Sequence, residues 1–298
     1  MHKSVTQMKR LFVIANPTAG RGRTATILPD IEEALASRGV LYDLHLTTRQ
    51  KMAAELLKES FDSSYTDLLV VGGDGTFNEV INGLPRFDIQ VGVIQSGTGN
   101  DFAKALGGSM KIADQLNRAI SAQAKPIDLG LCNGMLFHNG VGIGFDGSVA
   151  HRAAELKAEQ KGSVLSYYRA IAEALFGYRG VSMNIQGVKE SNDALTFMTT
   201  VANGVAFGGG LKVTPKASIT DGLLDVCHVD SLSVIGRLWR LPFLVAGKHT
   251  ALNKISYFKT EQLAIESTQE LPAHIDGEIF KAKRFEISLS EQKLNLRF

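Results

Sequence analysis

The sequence is poor in the features that identify secreted, metal-binding and membrane-spanning chains. Its two cysteines, Cys132 and Cys227, stand far apart and lack the close spacing of metal ligands. Isolated cysteines suit a reducing cytoplasm, where they serve as inert core residues. No run reaches the roughly 18 apolar residues that a transmembrane helix requires, and the first residues, MHKSVTQMKR, lack the apolar core of a signal peptide. We therefore expect a cytoplasmic protein.

A large excess of charge of one sign is also lacking. The chain has 32 lysines and arginines against 30 aspartates and glutamates, a net charge of +2, and no dense basic run. This balance argues against nucleic acid as the main partner. The length of 298 residues allows two domains, and a hydrophobic content of 44% is sufficient for a core in each.

The most informative stretch is VVGGDGTFNEVINGL, which runs from Val70 to Leu84. A valine- and leucine-rich run, Asp67–Val71, predicts a buried strand, and it leads directly into the turn Gly72–Thr76. From Phe77 an apolar pattern at helical spacing begins. A glycine turn between a strand and a helix presents backbone N–H groups to a phosphate, so the stretch predicts a phosphate-binding turn.

An aspartate inside such a turn needs its own explanation, because a carboxylate repels phosphate. Asp74 fits if a cation lies between the carboxylate and the phosphate, or if the carboxylate orients a water or a hydroxyl. The alternative is an ordinary strand-to-helix turn in which Asp74 is a capping residue.

Strands and helices alternate through the first part of the chain. The predicted strands are Arg10–Ala15, Val40–Leu46, Asp67–Val71 and Gln90–Gln95, and the predicted helices are about 24–37, about 50–58, from 77 onward and 113–122. Such alternation predicts a parallel, doubly wound sheet whose ligands gather beyond the carboxyl ends of its strands. Three strand ends are rich in Gly, Thr and Asn (Asn16–Gly22, Gly72–Thr76 and Ser96–Asp101), and the remaining strand ends in Thr47.

After about residue 125 the pattern changes to short strands separated by turn residues. They are Ile127–Cys132, Met135–Val141, Val181–Gln186, Leu195–Ala202, Leu223–Val229, Ile255–Lys259, Gln262–Glu266 and Arg284–Leu289. This pattern predicts an all-β second domain, a sandwich or a curved sheet. Helical insertions are predicted at about Gly147–Tyr178 and Ser231–Gly247.

Taken together and in order, several motifs resemble the diacylglycerol kinase catalytic family, most closely its soluble bacterial lipid kinases. The motifs are Asn16-Pro17-Thr18-Ala19-Gly20, Gly72-Gly73-Asp74-Gly75-Thr76, Gly97-Thr98-Gly99-Asn100-Asp101-Phe102-Ala103, Gly208-Gly209-Gly210, PKASITDGLLD from Pro215 to Asp225, and Ile275-Asp276-Gly277-Glu278. The GGDGT turn alone is weaker, since NAD kinases and phosphofructokinases use similar turns. GTGNDFA and IDGE separate this chain from them.

The resemblance implies a fold and a nucleotide site. The implied fold is a doubly wound nucleotide-binding α/β domain over residues 1–125, to which about 290–298 returns, then a β-rich domain over 126–289, with the substrate cleft between them. The residues implied to hold ATP are Asn16, Pro17, Thr18, Ala19, Gly20, Thr47, Gly72, Gly73, Asp74, Gly75, Thr76, Phe77, Asn78, Thr98 and Asp101. Asp74 and Asp101 match aspartates of a water and magnesium network near the phosphates.

The resemblance also implies a second metal site and a base. Ser218, Asp221 and Leu223 match a magnesium site, in which the serine and the leucine act through backbone carbonyls. Glu278 and Asp276 match an acidic pair assigned to the general base, so the implied catalytic set is Glu278, Asp276 and Asp74. Close carboxylates raise one another's pKa, which brings one of them nearer to working pH.

Simpler structural interpretations of these acids stay open. IDGE alone is typical of a tight turn between strands with solvated acids, and Asp221-Gly222 is typical of a hairpin turn. Five of the seven histidines share no spacing and receive no role; they are His138, His151, His228, His249 and His274.

We therefore expect an ATP-dependent lipid kinase that uses Mg²⁺ and phosphorylates diacylglycerol to phosphatidic acid. Another lipid (phosphatidylglycerol, a sphingoid base or a long-chain alcohol), an NAD kinase activity, or a nucleotide sensor without turnover are the alternatives. The oligomeric state, including a homodimer, stays open.

A lipid acceptor predicts transient contact with a membrane surface. The segment Val234–Lys248, VIGRLWRLPFLVAGK, combines apolar, aromatic and basic residues, which suits such a surface. Insertion is expected from Trp239, Leu241, Phe243 and Leu244, and headgroup contacts from Arg237, Arg240 and Lys248. The alternative is a helix packed on its own domain.

Overall fold

The structure is a computed structural model that describes residues 9–107, 110–159, 165–185 and 195–298. The chain forms two compact units. The first extends to Ile127 and includes Gln292–Phe298, and the second is Asp128–Glu291. The unit boundary thus follows Ile127 rather than residue 125, because Ala124–Ile127 is an edge strand of the first sheet.

The helices and strands alternate first and cluster later. The strands are β1 Arg10–Ala15, β2 Leu41–Leu46, β3 Asp67–Gly72, β4 Gln90–Gln95, β5 Ala124–Ile127, β6 Gly130–Cys132, β7 Met135–Phe137, β8 Gly140–Gly144, β9 Asn184–Ile185, β10 Thr196–Ala202, β11 Leu224–Asp230, β12 Ile255–Thr260, β13 Gln262–Ile275, β14 Glu278–Leu289 and β15 Leu294–Arg297. The helices are α1 Arg23–Ser37, α2 Met52–Ser60, α3 Asp74–Gly83, α4 Asp101–Leu106, α5 Ile112–Ser121, α6 Phe145–Glu159, α7 Leu165–Gly177 and α8 Val234–Ala246.

The first unit is built on a six-stranded sheet in the order β2-β1-β3-β4-β15-β5. All neighbouring strands are parallel except β5, which pairs antiparallel with β15. Strands buried on both faces need continuous apolar sequence, and β1 and β3 have it. Leu11 and Val13 pack with α1 and α5 on one face, while Phe12 points to the other and contacts Phe61 and Tyr65.

Helix α3 begins earlier than the apolar pattern predicts. The pattern starts at Phe77, but the helix begins at Asp74, with Gly73 as its extended N-cap. Gly73 is therefore the single residue between β3 and α3, and Asp74-Gly75-Thr76 lies in the first helical turn. Polar and glycine residues at a helix start carry no apolar periodicity, which explains the late predicted boundary.

The second unit contains a nine-stranded sheet. Its main path runs β12-β11-β10-β8-β13-β14-β6-β7, all neighbouring pairs are antiparallel, and β9 pairs with β13. The long hairpin β13–β14 replaces the two short strands predicted at Gln262–Glu266 and Arg284–Leu289. The extension includes polar residues such as Gln269 and Glu270, which are exposed, so alternation alone did not identify it.

Two other predicted strands are split. Ile127 ends β5 in the first unit, whereas β6 of the second unit covers only the end of the predicted strand Ile127–Cys132. The predicted strand Met135–Val141 is divided between β7 and β8, because the chain turns at His138-Asn139. The predicted insertion at Gly147–Tyr178 contains α6 and α7; its residues 160–164, and Gln186 of a predicted strand, lie outside the described residues.

The predicted fold class is confirmed: an α/β unit with parallel strands precedes an antiparallel β-rich unit. Within the described part of the chain, no helix combines the length and apolar character needed to span a bilayer.

Candidate active site

The candidate residues fall into two groups, one in each unit, and each group is described within its own unit. In the first unit the loops after β1, β3 and β4 pack backbone against backbone. A Cβ on Gly97 would lie 2.6 Å from the Cα of Gly73, and a Cβ on Gly20 only 1.9 Å from the carbonyl oxygen of Ser96. Gly20 also has a φ of +60°. Glycine is required here because any side chain would separate the loops.

Side-chain hydrogen bonds fix the same three loops. Asn16 donates from Nδ2 to Thr76 Oγ1 at 3.1 Å, and its Oδ1 accepts from the backbone N–H of Thr18 at 3.1 Å. Thr24 Oγ1 and Ser96 Oγ lie 2.5 Å apart in a buried position. The loops are therefore held rigidly at the carboxyl edge of the parallel sheet, where ligands of such sheets bind.

Asp74 is the first residue of α3, whose N-cap is Gly73. Asp74 Oδ2 accepts the backbone N–H of Asp101, the first residue of α4, at 3.0 Å. Gln95 Nε2 lies 3.5 Å from Asp74 Oδ1. The Asp74 carboxylate therefore links the loop after β3 to the loop after β4.

The carboxylates of Asp74 and Asp101 both lie near Gly99. A Cβ on Gly99 would lie 3.8 Å from Asp74 Oδ2 and 3.7 Å from Asp101 Oδ2. Asp101 Oδ1 also pairs with Lys104 Nζ at 2.7 Å. Carboxylate oxygens are the ligands that a small, hard cation prefers.

This donor set fits magnesium that arrives with a nucleotide. Mg²⁺ in such sites takes one or two carboxylates and completes its shell with phosphate oxygens and waters. No group of three or more His, Cys, Asp and Glu side chains able to hold a metal occurs among the described residues. A pair of carboxylates is sufficient only if phosphates supply further ligands.

The residues implied to hold ATP differ in accessibility. Thr18, Gly75 and Thr98 are exposed, while Thr47, Thr76 and Asn78 are buried. Phe77 is buried, and its ring stacks on that of Phe102 at 5.5 Å. The Phe77 side chain therefore belongs to the core of the first unit, and only its backbone is available to the turn. Asn16, Pro17, Ala19, Gly72 and Gly73 line the packed loops.

In the second unit, Asp276-Gly277 forms the two-residue turn of the β13–β14 hairpin. Both residues have positive φ values, 49° and 92°, as in a type I′ turn. The Asp276 carboxylate is fully buried and accepts the backbone N–H groups of His138 at 2.9 Å, Asn139 at 3.1 Å and Gly140 at 2.8 Å. Its Oδ2 also lies 2.7 Å from His138 Nδ1.

These contacts determine the charge state of Asp276. Burial by itself raises the pKa of this carboxyl, but the His138 side chain and the backbone N–H donors outweigh burial and hold the pKa below its ordinary value. The expectation that neighbouring carboxylates raise one another's pKa is therefore wrong for Asp276. Glu278, by contrast, is exposed. IDGE is a tight turn, as the simpler interpretation held, but only Glu278 is a solvated acid.

The loop implied as a second magnesium site already contacts the ammonium group of Lys259. Lys259 Nζ lies 2.5 Å from Asp221 Oδ2 and 3.3 Å from Asp225 Oδ2. Asp221 Oδ1 accepts the backbone N–H of Leu223 at 3.2 Å, and Ser218 Oγ lies 3.4 Å from Thr220 Oγ1. Both oxygens of the Asp221 carboxylate are thus used, one by the ammonium group and one by a backbone N–H, and the same ammonium group also contacts Asp225, so this set does not fit magnesium as it stands.

The segment Val234–Lys248 contains the surface helix α8, and its residues differ from the expectation in which are buried and which are exposed. Arg237 is buried and donates to the carbonyls of Leu232 at 3.1 Å and Leu175 at 2.6 Å, so it anchors the helix and is unavailable to lipid headgroups. Leu244 packs partly against a core cluster, and Phe243 is half-buried. The exposed apolar residues of α8 are Ile235, Leu238, Trp239, Leu241 and Val245.

Sequence reasoning missed three residues of this machinery. Gln95 carried a weak signal, because it is a polar residue that ends an apolar strand at the ligand edge of the sheet. His138 carried none, since its partner Asp276 is 138 residues away. Lys259 likewise meets Asp221 only through the pairing of β11 with β12.

Comparisons with known proteins agree with this arrangement. The family model of the diacylglycerol kinase catalytic domain matches residues 10–132, and that of the YegS C-terminal NAD kinase beta sandwich-like domain matches residues 139–296. A diacylglycerol kinase from Bacillus subtilis (strain 168) is 30% identical over 281 residues, which are 91% of this chain and 90% of the relative.

Two further matches extend over the whole chain. A candidate lipid kinase of the same organism, YtlR, is 27% identical over 97% of this chain and 100% of its own length. The crystal structure of a candidate diacylglycerol kinase from Bacillus anthracis str. Sterne superposes with a TM-score of 0.80 at 26% identity, covering 100% of this chain and 98% of that one. The chain belongs to the diacylglycerol kinase family of lipid kinases.

Proposed function

We propose that this protein transfers the γ-phosphoryl group of ATP to a lipid hydroxyl, with diacylglycerol as the acceptor and phosphatidic acid as the product. The observation that carries the proposal is the pair of carboxylates, Asp74 and Asp101, which lie near Gly99 within tightly packed glycine loops. Phosphoryl transfer requires positioning and charge neutralisation more than covalent chemistry, and this geometry suits both requirements.

The loops of the first unit provide the nucleotide site of the proposal. Backbone N–H groups around Gly73 and Gly97 bind phosphate oxygens, because no side chain keeps the phosphates at a distance. Magnesium bound with ATP neutralises the phosphate charge. Asp74 and Asp101 hold that cation, and the N–H of Asp101 keeps the Asp74 carboxylate in place.

The two acids of the second unit take different roles in the proposal. Glu278 is exposed and accepts the proton of the attacking hydroxyl as general base. Asp276 is a positioning residue, since its carboxylate is buried and already accepts three backbone N–H groups. It fixes the turn from which the chain continues into Glu278.

The names of the relatives support the choice of acceptor. The Bacillus subtilis relative is named a diacylglycerol kinase, and relatives in Staphylococcus carry the same name. The relative named only as a candidate lipid kinase, YtlR, matches nearly all of this chain as well. Lipid phosphorylation is thus the class to test first, and diacylglycerol is the first acceptor within that class.

The test is a competition among acceptors. The purified chain receives labelled ATP, Mg²⁺ and equal amounts of diacylglycerol, phosphatidylglycerol, sphingosine, a long-chain alcohol and NAD in detergent, and chromatography separates the products. We expect labelled phosphatidic acid as the main product, none in the presence of a chelator and none from Asp74→Asn.

Other results would change the proposal in defined ways. Preference for another lipid changes the acceptor and keeps the class, whereas preference for NAD overturns the class. Binding of ATP without turnover on any acceptor contradicts a kinase and indicates a nucleotide sensor.

A further inference from the structure

Helix α8 exposes an apolar face that the core of its unit does not cover. Ile235 is 80% exposed and Trp239 is 56% exposed, and Leu238 and Val245 lie beside them. Residues three, four and seven positions apart share one side of a helix, so Ile235, Leu238, Trp239 and Val245 lie on one face. We call these four residues the α8 stripe.

The opposite side fastens the helix firmly to its unit. Ser233 Oγ caps the helix by accepting the backbone N–H of Gly236 at 3.2 Å, and Gly247 ends it in a left-handed conformation. The buried Arg237 guanidinium stacks over the Phe197 ring at 4.7 Å and donates to the carbonyl of Leu175. The α8 stripe is therefore the outer face of a well-anchored helix and not a frayed end.

The chain segment that carries the stripe has charges of one sign. From Ser231 to Lys254 it has no acidic residue, and its basic residues are Arg237, Arg240, Lys248 and Lys254. Arg237 is used internally. The half-buried Arg240 guanidinium lies 5.2 Å from the Trp239 ring centre and donates to the carbonyls of Gly236 and Asn253, while Lys248 is exposed. A tryptophan flanked by basic residues suits the boundary between lipid headgroups and acyl chains.

We propose that the α8 stripe docks on an anionic lipid surface, with Trp239 at the headgroup boundary and Ile235, Leu238 and Val245 in contact with acyl chains. The docking proposal rests on the proposed lipid acceptor, because a long-chain acceptor is presented at a bilayer surface. Charge selects this occupant: cationic side chains bordering an apolar face complement anionic headgroups.

The chain carries its own probe of this contact, because Trp239 is the only tryptophan. The full chain is mixed with vesicles of phosphatidylcholine alone or with added phosphatidylglycerol. We expect a blue shift of the tryptophan emission and quenching by lipids brominated on the acyl chains, both stronger on the anionic vesicles. An unshifted emission on every vesicle overturns the proposal.

A matched pair of variants identifies the surface. The double variant Leu238→Ser with Val245→Ser should weaken vesicle binding by about tenfold or more, because it removes two apolar side chains that docking would bury in the bilayer. The control is Leu41→Ser with Met135→Ser, since Leu41 is 50% exposed where Leu238 is 44% exposed. The assignment of docking to the α8 stripe is contradicted if both double variants lose vesicle binding equally, or if the stripe double loses none. A change in self-association of the first double at unchanged vesicle binding would assign the stripe to a second copy and overturn docking.

Activity separates this inference from the proposed function. The stripe double should keep its activity on short-chain diacylglycerol in detergent and lose most of it on anionic vesicles. Vesicle binding by a chain that phosphorylates no lipid would overturn the proposed function and leave docking standing. Full phosphorylation on vesicles by a stripe double that no longer binds them would overturn a role for docking in catalysis.

A separate observation concerns the loop around Asp221. Lys259 Nζ touches the carboxylates of Asp221 and Asp225 and lies 3.3 Å from the carbonyl of Lys216. The Asp225 side chain is fully buried, and Tyr257 donates to its Oδ1 at 2.6 Å. Oxygens from three residues thus converge on one ammonium group, an arrangement typical of a cation site.

We infer that Lys259 is the built-in cation of this loop, in the place where the family resemblance implies magnesium. An ammonium neutralises the two carboxylates without an ion from solution.

Thermal unfolding without nucleotide tests this inference. The unmodified chain should melt at the same temperature with and without Mg²⁺. Lys259→Met should melt several degrees lower than the unmodified chain, and Lys259→Arg should melt close to it. The control is Lys254→Met, because Lys254 bonds to a backbone carbonyl; its melting temperature should be nearly unchanged. Stabilisation of the unmodified chain by Mg²⁺, or a Lys259→Met chain as stable as the control, would overturn the inference.

Discussion

The two units hold their central aspartates in opposite ways. Asp74 is half-buried, accepts an N–H from a residue 27 positions away and lies near Gly99. Asp276 is fully buried and accepts N–H groups from residues as far as 138 positions away. A partly exposed carboxylate can meet a ligand, whereas a buried carboxylate that accepts several backbone N–H groups stabilises a turn. In the proposed function, the same residue type therefore serves chemistry in one unit and architecture in the other.

The largest effect is expected from a substitution of the half-buried aspartate, Asp74. Asp74→Asn should abolish phosphoryl transfer, because losing a cation ligand at the transferring phosphate costs on the order of several kcal/mol in the transition state. The amide keeps the size of the side chain, so the thermal midpoint should stay within a few degrees. Steady-state kinetics and a melting curve on the same sample measure both. Near-normal turnover in the folded variant would remove Asp74 from the chemistry.

Glu278→Gln tests the exposed acid of the second unit. We expect kcat to fall by about a hundred- to ten-thousand-fold, the usual contribution of a general base, with little change in the affinity for ATP. The side chain is exposed, so stability should not change. Direct binding of a nucleotide analogue separates the two effects. An unchanged kcat with every lipid acceptor would place the base elsewhere.

Asp276→Asn should act on stability first. Removing the charge from a buried, multiply bonded pair typically destabilises a protein by about 3–5 kcal/mol. The amide also presents a donor where three backbone N–H groups need an acceptor. Denaturant unfolding measures the loss. If Asp276→Asn instead kept its stability and lowered kcat as much as Glu278→Gln, Asp276 would take part in proton transfer. The two aspartates would then both serve chemistry.

Gly99→Ala sharpens the comparison without replacing a carboxylate. The new methyl group would make ordinary contacts of 3.7 and 3.8 Å with the two carboxylates, so the fold should tolerate it. It would lie beside both carboxylates, and we expect the KM for Mg²⁺–ATP to rise by about tenfold. Gly177→Ala, a position with nothing within 4 Å, is the control. Equal kinetics in both variants would show that the nucleotide lies elsewhere.

The smallest expected effect concerns pH and the second unit. Burial lowers the pKa of His274, although Asp146 and Asp276 oppose the shift and His151 adds to it. The unfolded chain therefore binds a proton that the folded chain excludes, so stability falls as pH drops below about 6.5, by at most about 1.4 kcal/mol per pH unit. His274→Gln should reduce the difference between melting temperatures at pH 7.5 and 5.5. An unchanged difference would mean that other buried histidines, such as His228, dominate.

The sequence predicted the first unit more accurately than the second. The strands β1, β3 and β4 were predicted almost to the residue, because strands buried on both faces are continuous apolar runs. The loops after them were predicted for the same reason, since parallel strands bring their ends to one edge. The burial of Asp276 and Arg237 was not predictable, because their partners come from distant segments that only the antiparallel pairing and the packing of α7 and α8 bring close.

Strand β15 has a consequence for the order of assembly. It lies between β4 and β5, and Arg297 pairs with Asp67 at the start of β3 at 2.8 Å. During synthesis the second unit leaves the ribosome in full before the strand that closes the first sheet. The first unit, although encoded first, is therefore the last to be completed. A premature stop shortly before Leu294 would leave a gap beside β4, next to the loops of the proposed nucleotide site, while all residues of the second unit would be present.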